Sequence, residues 1–314
     1  MTQSHSETLR FDGRVAIVTG AGGQKPSLGE TYAHYLAARG AKVVVNDLGV
    51  GPDGLGNMPA NAEVIAGEIR KAGGEAIADT HSVAEPDSAR AIVQTAIDAW
   101  GKVDILINNA GVVFFALFDE MSDNDVRRIV DTHLYGNIWM ARAVWPHMKA
   151  AGYGRIVNVS SGSIFGNPFL TAYGAAKAGI AGLTRGLALE GERIGIKANA
   201  LAPQATTAKH PMLQGRDANS APAYALGSVD QVAPLAAYLS HESCQSNGST
   251  YWAGSGRVRE FRYHTSVGYD NPDITIEDLA ARFDQVTDQT GSTPIGPVDP
   301  TILERATRRQ YVPG

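Results

Sequence analysis

A chain of 314 residues is long enough to bury a sizeable core, and no linker-like stretch, charge block or internal repeat interrupts residues 11–262. A formal net charge of −5 with interspersed signs offers no basic stripe for nucleic acid. No apolar run reaches the roughly 18 residues of a membrane span, residues 1–10 lack a basic-then-apolar leader, and the single cysteine, Cys244, excludes an internal disulfide; a cytoplasmic protein that engages neither membrane nor nucleic acid is expected.

Residues 1–10 read as a disordered lead-in. The apolar run Val15 to Val18 then breaks into glycine, and Leu28 to Arg39 follows as a helix. A second strand, AKVVVND, leads into a Gly/Pro/Asn-rich loop from Gly49 to Ala60, a helix through Lys71 and a weaker strand at Ala76 to Asp79. The alternation continues with helix 87–100 and strand VDILINN, helix 122–150 and RIVNVSS, then helix 171–190 and IKANALAP. Strands apolar on both faces between amphipathic helices predict a Rossmann-type α/β fold: a doubly wound parallel sheet with helices on both faces. Beyond residue 262 the pattern loosens into a C-terminal extension, 263–314, with one short helix near 275–286.

In such a sheet ligands bind beyond the carboxyl ends of the strands. Gly20, Gly22 and Gly23 follow the first strand, and Leu28 with Gly29 opens the helix, which suits a pyrophosphate met by backbone amides. Asp47, at the end of VVVND, stands where a carboxylate holds adenosine ribose hydroxyls and repels a 2′-phosphate, so NAD is the expected cofactor. The turn is lengthened between Gly22 and Leu28, and Lys25 in that insertion is a cation that a 2′-phosphate would seek.

Tyr173 and Lys177 lie four apart in YGAAK and share one helix face. A phenol acting as a base near neutrality needs its pKa of about 10 lowered by roughly three units, or about 4 kcal/mol, which nearby positive charge supplies. The hydroxyl that orients the substrate oxygen comes from the end of NVSS, where Ser160 and Ser161 compete. The eight histidines form no HExxH pattern and no metal is expected.

TGAGG with a later glycine, NNAG at Asn108 to Gly111, NVSS and YGAAK, in this order, resemble the short-chain dehydrogenase/reductase family. LRFDGRVAIVTGAGG, VVVNDLG, HLYG and VAPLAAYLSHESCQSNG are most similar to its multifunctional-enzyme type 2 branch, whose dehydrogenase modules handle (3R)-hydroxyacyl-CoA thioesters and steroids. The resemblance implies that Ser82 and Val83 flank adenine, that Asn109 touches the cofactor ribose, and that Ala110, Gly111 and Pro203 lie beside the cofactor. It also implies that Tyr173 and Lys177 are the acid–base pair. Strand register aligns Ser161 with the family's serine, whereas the family's usual spacing to the tyrosine selects Ser160; Ser161 is preferred because strand alternation fixes side-chain direction. His133 stands where many members carry a relay asparagine, to pass protons or brace a water.

The run VVFFALF after NNAG makes the expected substrate wall apolar, and residues 205–226 hold the place of the family's mobile substrate loop. The leading expectation is therefore an NAD(H)-dependent oxidoreductase for a bulky, hydrophobic, steroid-like or terpenoid-like secondary alcohol or its ketone. A (3R)-hydroxyacyl-CoA dehydrogenase is the alternative enzyme, and a non-catalytic NAD-binding scaffold or sensor is the alternative of another class. A homodimer or homotetramer through helices 122–150 and 171–190 is expected from the family.

Overall fold

The computed structural model describes residues 8–50, 60–207 and 227–296. The lead-in residues 1–7, part of the Gly49 to Ala60 loop, most of the 205–226 segment and the end of the C-terminal extension lie outside the described residues.

One sheet carries strands β1 (Val15–Thr19), β2 (Lys42–Asn46), β3 (Glu75–Asp79), β4 (Ile105–Asn108), β5 (Gly154–Val159), β6 (Ile196–Gln204), β7 (Thr250–Gly254) and β8 (Arg257–Phe261), in the order β3-β2-β1-β4-β5-β6-β7-β8. Neighbours from β3 across to β7 are parallel. The chain therefore winds outward from β1 one way and from β4 the other, and strand order reverses between β1 and β4. β8 follows β7 after the two-residue turn Ser255-Gly256, whose φ values of 49° and 71° are those of a tight hairpin turn.

Alternate residues of each strand bury on opposite faces. Ala16, Val18, Val43, Val45, Ile105 and Ile107 pack with helices α1 (Leu28–Ala37), α2 (Ala60–Lys71) and α7 (Ala233–Ser240). Val15, Ile17, Val44, Leu106 and Ile156 pack with α3 (Pro86–Trp100) and α5 (Gly136–Ala151). Both faces of the central strands are thus dry, which is why they read as continuous apolar runs.

The single helix expected over 122–150 is interrupted. It forms α4 (Asp123–Val130), a π turn at Asp131–Tyr135 and then α5, with the Gly136 N–H donating to Asp131 O. The extra residue per turn buries His133, whose carbonyl accepts from Asn137 Nδ2 at 2.7 Å. A further helix, α6 (Thr171–Gly191), carries Tyr173 and Lys177.

By its contacts the chain divides into Met1–Arg259 and Glu260–Gly314. In the second unit β9 (His264–Thr265) pairs antiparallel with β10 (Thr293–Pro294). Its helix α8 (Ile276–Thr287) starts in a capping box: Thr275 Oγ1 accepts from Asp278 N and Asp278 Oδ2 accepts from Thr275 N.

Candidate active site

A cavity of about 470 Å³ opens beyond the carboxyl ends of the parallel strands. Its wall takes Gly20 from the end of β1, Asp47 from β2, His81 and Ser82 from β3, Asn109 from β4, Ser160 and Ser161 from β5, and Pro203 from β6. The crevice sits where strand order reverses, the place at which a doubly wound sheet leaves room for a ligand.

At the glycine-turn end the geometry is backbone packed on backbone. Gly20 has φ +65°, and a Cβ there would stand 2.7 Å from Ala110 Cα. A Cβ on Gly29 would stand 2.2 Å from Gly20 O, so only glycine lets α1 close on the turn. Asp47 ties the turn to its own loop: Oδ2 accepts from Gly22 N at 2.9 Å and Oδ1 from Gly49 N at 2.7 Å. Asn109 Nδ2 donates to the carbonyls of Thr19 and Gly20, each at 3.0 Å, while Thr19 Oγ1 accepts from the N–H groups of Asn109 and Ala110. At the far side buried Asp79 accepts from Asn46 Nδ2 at 2.8 Å and holds His81 Nδ1 at 3.0 Å.

At the other end α6 presents Tyr173 and Lys177 to the cavity. Ser161 lines the cavity with Tyr173, its Oγ accepting from Ser163 N at 3.1 Å, whereas Ser160 turns inward and donates to Lys177 O at 2.9 Å. Lys177 is buried, donates from Nζ to Val159 O at 2.5 Å, and lies 5.5 Å from the Tyr173 ring centroid. The His133 ring meets Tyr173 edge-on at 5.1 Å, and its Nε2 lies 2.7 Å from Val112 O. Burial pushes the Tyr173 phenol up against the lesser downward pull of Ser161, and burial pushes Lys177 down to about 7. The protein alone therefore favours a neutral phenol: the downward pull comes from Ser161 rather than from Lys177 as expected, and desolvation exceeds it.

The family model for short chain dehydrogenases matches residues 14–219. The chain belongs to the short-chain dehydrogenase family. It is an oxidoreductase of that family. A protein of Mycobacterium tuberculosis named as a short-chain type dehydrogenase/reductase is 43% identical over 89% of this chain and 96% of its own length. The mouse peroxisomal multifunctional enzyme type 2 is 39% identical over 89% of this chain, which spans 37% of that longer protein. Among solved structures, a gluconate 5-dehydrogenase from Burkholderia cenocepacia in complex with NADP and tartrate is 33% identical, with a TM-score of 0.69 over 77% of this chain and 94% of that one. A 7α-hydroxysteroid dehydrogenase with NADH and 7-oxo glycochenodeoxycholic acid is 29% identical, with a TM-score of 0.68 over 79% of this chain and 94% of that one.

Most site residues expected from the sequence of this dehydrogenase line the one cavity: Gly20, Gly23, Leu28, Asp47, Ser82, Val83, Asn109, Ala110, Gly111, His133, Ser161, Tyr173, Lys177 and Pro203. Gly22 and Gly29 are not among the lining residues, and each allows a close approach, Gly22 to Asp47 and Gly29 to Gly20. Lys25 does not line the cavity; its Nζ reaches Glu68 at 2.6 Å and Glu30 at 3.2 Å.

Sequence reasoning missed Asn46, Arg128, Asp131, Thr132 and Thr207 as wall residues, as well as His81. His81 and Asn46 were findable as neighbours of Ser82 and Asp47 at strand ends. Arg128 was not, because at about 100° per residue an α-helix turns it away from His133, and the π turn that brings both to one face has no sequence signature.

Proposed function

We propose that this short-chain dehydrogenase interconverts a secondary alcohol and its ketone with NAD(H), and that its substrate is a (3R)-hydroxyacyl-CoA thioester. The observation that carries the chemistry is the convergence of Ser161, Tyr173 and Lys177 in one cavity with the glycine turn and Asp47. A dinucleotide fits the residues present. Ser27 Oγ, buried in the wall beside the start of α1, has no hydrogen-bond partner among the described residues, and Ser27 does not cap that helix with its side chain. An unspent hydroxyl and uncapped amides are what a pyrophosphate needs, with Asp47 at the ribose.

NAD, when bound, supplies the hydride acceptor or, reduced, the donor. Ser161 orients the substrate oxygen beside the phenol, and Tyr173 gives its proton to a ketone oxygen or takes one from the alcohol. Lys177, held by Val159 O, places its charge where the phenolate develops. His133 fixes the Val112 peptide and the Tyr173 ring, a positioning role that is part of the same proposal.

The thioester reading is supported by likeness to multifunctional-enzyme and hydratase-dehydrogenase-epimerase relatives. The steroid- or terpenoid-like expectation becomes the second reading, since of the run VVFFALF only Val112 and Val113 line the cavity while Phe115 and Phe118 face outward. Likeness to the 7α-hydroxysteroid dehydrogenase keeps it in play. Homodimer or homotetramer assembly through α5 and α6 belongs to the proposal and is checked by sedimentation. Reduced-nicotinamide absorbance with (3R)-hydroxyacyl-CoA and free secondary alcohols decides between substrates: preference for the thioester by orders of magnitude in kcat/KM is expected, and the reverse preference overturns it. Tyr173→Phe is expected to cut turnover by about a thousandfold with NADH affinity unchanged; unchanged turnover would leave the non-catalytic NAD-binding scaffold.

A further inference from the structure

The lengthened turn between β1 and α1 puts Gln24, Pro26 and Ser27 on the cavity wall, on the side where Asp47 binds Gly22. Lys25, the one cation of that run, is drawn elsewhere. Its ammonium lies 2.6 Å from Glu68 Oε2 on α2 and 3.2 Å from Glu30 Oε1 on α1. Glu68 is in turn 3.3 Å from His34 Nε2. The pairing holds both partners charged: the Glu68 hydrogen bond keeps Lys25 above the usual lysine range, and Lys25 keeps Glu68 below the usual carboxylate range.

We propose that Glu68, assisted by Glu30, determines cofactor choice by holding Lys25 away from the adenosine end of the cavity, so that a 2′-phosphate meets the Asp47 carboxylate without a compensating cation. The proposal rests on the reading of this cavity as the dinucleotide site. Asp47 alone repels the extra phosphate, but a lysine three residues beyond Gly22 would offset that repulsion if its ammonium were released. The anchor is solvent-screened, since the Lys25 and Glu68 side chains are 49% and 40% exposed, and loss of Glu68 leaves only the longer Glu30 contact, at 3.2 Å, to hold it.

Titration of NADH and NADPH fluorescence on the full chain tests this without turnover. Glu68→Ala is expected to tighten NADPH binding by about three- to tenfold and to leave NADH within about twofold. Glu68→Gln repeats the measurement without altering the length of the side chain on α2. Lys25→Ala alone should leave NADH within about twofold, and in the Glu68→Ala background it should abolish the gain for NADPH. A gain that survives in the double variant means that the Glu68 charge itself repels the phosphate, and it overturns the role given to Lys25. No gain in either Glu68 variant overturns the proposal outright. Failure of the wild-type chain to bind either dinucleotide overturns the cofactor reading beneath it, a result distinct from both.

Discussion

At the glycine-turn end of the cavity backbone packs on backbone, Gly29 under Gly20, and is held by side chains bonded to main chain, Asp47 on the amides of Gly22 and Gly49 and Asn109 on the carbonyls of Thr19 and Gly20. At the Tyr173 end the walls are side chains carried by helices and loops, and the apolar run beyond Val113 leaves Phe115, Leu117 and Phe118 exposed. The first construction admits almost no change of residue, because a Cβ would collide with main chain. The second tolerates variation, since its neighbours are flexible side chains and solvent. A site of this form keeps one ligand constant and lets the other differ between relatives.

The sharpest way to break this comparison is a matched pair of glycine substitutions. Gly29→Ala drives a Cβ to within 2.2 Å of Gly20 O, whereas Gly162→Ala meets nothing within 4 Å. The first is expected to weaken NADH binding by about a hundredfold or more and the second by less than about twofold, by fluorescence titration. Equal effects would show that the two ends are equally plastic.

Lys177 gives an effect on stability rather than on binding, with a defined pH signature. Burial lowers its folded pKa to about 7 from 10.5, so between these values the unfolded chain binds more protons than the folded one. Ligand-free stability from this group therefore rises with pH through that window, and the penalty is complete below about 7, on the order of 5 kcal/mol. Lys177→Met is expected to flatten that slope in denaturant titrations across pH 6 to about 10. A slope identical to wild type would mean that the ammonium stays solvated.

The smallest change is expected at the exposed aromatics. Phe118→Ala should leave kcat/KM within about twofold for short and long substrates alike, since the ring faces outward and does not line the cavity. A loss confined to long-chain or bulky substrates would place Phe118 in substrate contact.

The amino-acid sequence by itself determined the alternation of strands and helices, the glycine turn, Asp47 at the end of β2 and the Tyr173–Lys177 spacing. These features are written in periods of 2 and 3.6 residues or in residues whose chemistry has few uses. It also narrowed the strand-end hydroxyl to two adjacent serines, but only the packing of β5 on α6 turns Ser160 to Lys177 O and leaves Ser161 on the cavity wall with Tyr173. Tertiary structure likewise decided that Lys25 pairs with Glu68 and Glu30, that Arg128 joins His133 on the cavity wall through a π turn, and that burial raises the Tyr173 phenol. Each of these depends on what lies opposite in space and on how much water is excluded there, and neither quantity is encoded by spacing along a single chain.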